Sequence, residues 1–198
     1  MSTTWEGNKQ RSTYTKVAIA LHWVIGGAIM LQLLGGLQMG DLKGAEKFAA
    51  FQNHKSLGLT ILMLSVARLL WRIANPPPAL PEDMKRWEIF AAKVTHIGFY
   101  CLMIGVPIGG WVIISTSPYN IATNWWGLFE WPRLPLDDLP FRKSLNEMAK
   151  NGHEIGAFTI IGLLVLHIGA VIKHMFINDD DVAARMIPFL PKKEKSSS

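Results

Sequence analysis

Four stretches of the chain, about residues 16–38, 55–74, 94–115 and 154–177, are apolar nearly throughout, and the sequence between them turns polar. Each is close to the roughly 20 residues that a helix needs to cross a bilayer. The breaks between them are sharp. Asn75 and Pro76-Pro77-Pro78 stop the second helix, because proline lacks an N–H and pushes the preceding residue out of the helical region. Pro107, among Gly105, Gly109 and Gly110, predicts a kink in the third. The polar DLKGAEKFAAFQN reads as a short loop between the first two spans. Pro140 opens a helix that runs through KSLNEMAKNGHE into the fourth. The expected fold is an all-α membrane protein, a four-transmembrane-helix bundle. Residues 1–15 form a tail, 16–177 the bundle with a long loop at 116–152, and 178–198 a second tail.

Composition narrows this. In 198 residues with a mean hydropathy of +0.20, four spans leave no room for a soluble catalytic domain. The first span is too long for a signal-peptide core and no small-residue cleavage site follows it, so it is retained. The sole cysteine, Cys101, falls mid-span. That excludes intramolecular disulfides, a cysteine-ligated iron–sulfur cluster and CxxCH haem attachment. A net charge of +5 raises the question of nucleic acid, but the basic residues flank apolar spans, the usual membrane pattern, so no nucleic-acid partner is expected. Lysines and arginines divide 13 against 7 in favour of the side that holds the N terminus. The positive-inside rule therefore places both termini in the cytoplasm.

Candidate chemistry lies in the histidines. His153 and His167 sit 14 residues apart on the fourth span, about 21 Å of rise with only about 40° of rotation, so both leave nearly one face at two depths. Imidazole is costly against lipid and should face the bundle with a partner. Given the orientation, His54 lies level with His153 at the outer side, and His22 with His167 toward the cytoplasm. Two such pairs, each drawn from two helices, read as axial ligands of two b-type haems. His96 falls near the inner level and is the second choice there. Gly26, one turn past His22, permits a flat macrocycle to approach. Arg68, 14 residues beyond His54, is matched to a propionate, whereas Arg72 and Trp23 read as interfacial residues.

ALHWVI, NHKSLGLTILMLSVARLLWR, THIGFYCLMIGVPIGGW and NGHEIGAFTIIGLLVLHIGAVIKH, with the ending DDDVAARMIP, together resemble the prokaryotic cytochrome b561 family from about residue 14 to 189. The resemblance implies a four-helix di-haem b cytochrome of the bacterial inner membrane. It also implies ligation by His22, His54, His153 and His167. A relative in that family is a superoxide oxidase that passes electrons to ubiquinone, so the expected activity is superoxide:quinone oxidoreduction. The alternative is an electron relay for a separate periplasmic or membrane redox protein. Lys55, Lys150, Arg142 and Lys143 would draw in a small anionic donor, and the NWWGLFEWP segment reads as an interfacial aromatic belt or a docking surface. His174, seven residues past His167, is either an interfacial residue or the proton donor at a quinone site.

Overall fold

The computed structural model describes residues 13–79, 84–187 and 189–190; of the two expected tails, residues 1–12, 188 and 191–198 lie outside these. Four helices dominate: α1 (Lys16–Gln38), α2 (Gly44–Ala74), α3 (Arg86–Thr116) and α4 (Arg142–Phe176). All four are long and apolar enough to cross a membrane. A two-stranded antiparallel hairpin, β1 (Asn124–Trp125) and β2 (Phe129–Glu130), lies between α3 and α4, and a short 3₁₀ turn (Ala183–Arg185) follows α4. Large apolar side chains face outward: Leu31, Leu70, Phe90 and Val165 are 61–69% exposed. In lipid that is their proper environment, since hydrocarbon chains are as apolar as the side chains themselves.

The helix limits have local causes. Thr15 Oγ1 accepts from Ala18 N at 3.2 Å and caps α1. At the start of α3, Glu88 reaches back to the Lys85 N–H at 3.1 Å. The α2 helix ends at Asn75, before the three prolines. The last carbonyls of α3 have no helical partner; Arg133 donates to Ser115 O at 2.7 Å, and Arg142 to Thr116 O at 3.0 Å and Ser117 O at 2.8 Å. Asp137 lies against both arginines, 3.2 Å from Arg142 and 3.7 Å from Arg133. Residues 131–142 thus cap α3, a role that the sequence reading had not given them.

One expectation is corrected. The segment Gly44–Asn53 is not a loop but the first three turns of α2. It is rich in Ala, Glu, Lys and Phe and continues the helix past the apolar stretch, because hydropathy marks only the portion inside hydrocarbon. Pro107, where a kink is expected, lies inside α3.

The core is a thin layer. Ile25, Ile29, Ile61, Met103 and Ile160 are buried together near the middle of the four helices. Contact between α3 and α4 is the most extensive, and Gly156 permits it: a Cβ there would meet Val106 at 2.5 Å. The bundle therefore has two ends on either side of this layer. One, where α1 starts and α4 finishes, is the terminal end; the other, roofed by the hairpin, is the loop end.

Candidate haem sites at two levels of the bundle

At the loop end His54 of α2 and His153 of α4 face each other with ring centres 6.0 Å apart and planes inclined by 63°. At the terminal end His22 of α1 and His167 of α4 stand 6.1 Å apart at 62°. With metal–imidazole bonds of about 2.0–2.1 Å, two rings that flank one iron have centres about 6 Å apart. Both pairs fit. His96 of α3 fits too, with its ring centre 6.2 Å from that of His167, so the terminal end holds three imidazoles where one iron takes two. The spacing leaves the choice between His22 and His96 open.

The loop-end pair borders a cavity of about 590 Å³ with almost wholly apolar walls, lined among others by Leu33, Leu59, Val106 and Ile161. Two glycines make room beside the rings. A Cβ on Gly36 of α1 would lie 3.5 Å from His54 Cε1, and one on Gly110 of α3 would lie 3.3 Å from His153 Cε1. His153 Nδ1 lies 2.9 Å from Val106 O. A carbonyl only accepts, so Nδ1 carries the proton and Nε2 keeps its lone pair for a metal. Lys55 and Lys150 also border the cavity. The donor set, the apolar cavity and the glycine notches suit a b-type haem. His54 and His153 would hold it there; at the terminal end His167 would do so, with His22 or His96.

Arg68 lies at the terminal end, where the sequence placed it. Its guanidinium donates to Ala18 O at 2.7 Å and comes within 3.4 Å of His22 Nδ1, so it is already engaged by protein. Gly26 has no atom within 4 Å of a notional Cβ, which leaves open space beside His22. Arg72 lies over the Tyr100 ring at 5.7 Å, packed on α3 rather than reaching only for headgroups. Trp23 is tied down, its Nε1 donating to Met186 O at 2.9 Å. His174 is 9% exposed, and its Nδ1 lies 2.6 Å from Asp180 Oδ2. Nearby, Lys173 pairs with Glu88 and joins α4 to α3.

The aromatic segment is a built roof over the loop end. Trp125 and Trp126 both donate their indole N–H to Thr60 Oγ1 of α2, at 3.2 and 2.9 Å. Ser56 Oγ donates to Asn124 O at 3.1 Å, and Gln52 and Lys55 both donate to Ala122 O. Gln52, Ser56 and Thr60 recur every four residues and so form one stripe on α2. Left-handed backbone at Trp126 (φ 50°) and Gly127 (φ 73°) turns the hairpin.

Gly36 and Gly110 were missed in the sequence, although a signal existed. Each lies 14 residues beyond a histidine, His22 and His96 respectively. The same interval separates His54 from Arg68 and His153 from His167, so all four helices carry a special residue at both levels. Midway, seven residues from each, stand Ile29, Ile61, Met103 and Ile160, the buried layer itself.

The profile of the family described as prokaryotic cytochrome b561 matches residues 13–189. The chain is 28% identical over 176 residues to cytochrome b561 homolog 2 of Escherichia coli (strain K12), covering 88% of this chain and 90% of that one. Cytochrome b561 homolog 1 of the same organism is 23% identical over 88% of this chain and 97% of its own. A probable superoxide oxidase of Yersinia pestis is 24% identical over 88% of this chain and 96% of its own. Spanning nearly the whole chain, the match makes this a member of the prokaryotic cytochrome b561 family, a multi-pass bacterial inner-membrane protein of electron transport.

Proposed function

We propose that the chain binds two b-type haems, one between His54 and His153 and one between His22 and His167, and passes electrons from a periplasmic donor to ubiquinone. The observation that carries this is the pair of facing histidines at each of two levels, 6.0 and 6.1 Å between ring centres. A b-type haem held by two of these histidines would supply one-electron outer-sphere transfer.

The chain's own groups supply the rest. Val106 O fixes the tautomer of His153, and Gly36 and Gly110 keep the space beside both rings clear. Lys55 and Lys150 outnumber Glu154 at the cavity border and so favour an anion at the loop end. Superoxide is such an anion, and the relative from Yersinia pestis bears that activity in its name. At the terminal end a quinone that gains electrons must also gain protons. With its Nδ1 held by Asp180, His174 keeps Nε2 for that exchange. Lysine and arginine placement puts this end in the cytoplasm.

A relay to a separate periplasmic protein is favoured by one observation, the exposed hairpin tip, where Leu128 is 72% exposed. Purified protein supplied with superoxide and a ubiquinone analogue distinguishes the two readings. We expect quinol to form without any co-purifying protein; formation only with an added partner would support the relay. His174→Ala should keep both haems and their reduction yet slow reoxidation by the quinone several-fold. Unchanged reoxidation would remove His174 from the site.

A further inference from the structure

One polar group in the wall of the loop-end cavity has no part in the reading above. Gln32 lies deep in α1, one turn before Gly36 and so on the same face. An amide inside a membrane span is costly unless its donor and acceptor ends are both bonded. Only one end is. Gln32 Nε2 donates to the backbone carbonyl of His54 at 2.9 Å, whereas Gln32 Oε1 is buried with no partner. His54 Nδ1 is likewise buried with no partner. Both residues border the same cavity. Gly58, one turn beyond His54, keeps the amide's place open, since a Cβ there would come within 3.2 Å of Gln32 Nε2.

An imidazole that gives Nε2 to a metal holds its proton on Nδ1, and that N–H needs an acceptor to fix the ring. His153 has one in Val106 O. His54 lacks one, and a buried acceptor without a donor lies on the side chain already attached to its carbonyl. We infer that Gln32 is a positioning residue for His54: Oε1, which makes no hydrogen bond to Nδ1 in this structure, turns to accept from Nδ1–H while Nε2 holds the His54 carbonyl. The inference rests on His54 being a haem ligand. An acceptor on Nδ1–H makes the imidazole a better donor to iron, which favours the oxidised metal and lowers its potential.

The test is a redox titration of the purified holoprotein, with haem counted per chain. The haem to watch is the one that His54→Ala removes. In Gln32→Met, which carries no comparable acceptor and adds no charge, its midpoint potential should rise while the other haem keeps its own. Gly58→Ala, which crowds the amide, should move the same potential in the same direction by less. Two unchanged potentials in Gln32→Met, or two that shift together, would overturn the inference. Should Gln32→Met lose that haem, Gly58→Ala decides, and an unchanged potential there overturns it. A wild-type protein with fewer than two haems, or a His54→Ala variant that loses none, would instead refute the ligand assignment and the inference with it.

Discussion

The two ends of the bundle are built differently from the same four helices. At the loop end α2 and α4 supply histidines while α1 and α3 supply Gly36 and Gly110, and the result is an apolar slot. At the terminal end α1, α3 and α4 all supply histidines and α2 supplies Arg68. The first has few polar groups besides its two histidines: Gln32, Lys55, Lys150 and Glu154 at the cavity border. The second has more, with Asp180 on His174 and Arg72 over Tyr100 close by. Burying a polar group costs free energy unless it is bonded or used. On the function proposed above, the surplus imidazoles and guanidiniums suit the terminal end to the exchange of protons as well as electrons.

Removing ligands probes the contrast most strongly. His153→Ala should lower the haem count from two per chain to one by pyridine haemochrome assay, and His167→Ala should remove the other haem. At the crowded end His22→Ala should cost a haem and His96→Ala should not; the reverse result would exchange their roles. A smaller effect is expected from filling a notch. Gly110→Val places atoms where a Cβ alone lies 3.3 Å from the His153 ring, so occupancy at the loop end should fall with the other haem intact. Equal loss at both ends would show that the notches are general packing features. Smallest is Thr60→Val, which removes the acceptor of two indole N–H groups. It should destabilise the hairpin by about 1–3 kcal/mol, read as faster proteolysis within 117–135 with both haems retained.

Much of this was legible in the sequence because membranes make sequence unusually informative. Apolar runs of fixed length gave the spans, and histidine inside hydrocarbon drew attention at once; the pairs His54/His153 and His22/His167 do face each other. What escaped notice was whatever has no side chain or depends on folding back. Gly36 and Gly110 act through missing atoms, which hydropathy does not register, and only the 14-residue interval from His22 and His96 marks them. The partners of Ser56 and Thr60 come from a loop some 65 residues away, which no local pattern predicts. Asp180 belongs to the ending DDDVAARMIP, and only the turn after Phe176 brings its carboxylate to His174.

The layer of Ile29, Ile61, Met103 and Ile160 has an electrical consequence. It separates two levels about 21 Å apart along the helix axes, most of a hydrocarbon core about 30 Å thick. A side-chain layer of this kind has no hydroxyl, amide or carboxyl to relay a proton, so charge that crosses it does so without a compensating ion. On the two-haem reading proposed above, each electron that moves from one level to the other would work with or against the membrane voltage. At about 2.3 kcal/mol per charge per 100 mV for a full crossing, the partial crossing amounts to about 1.6 kcal/mol. A plug of four apolar side chains would thus make the rate of this protein sensitive to how energised its membrane is.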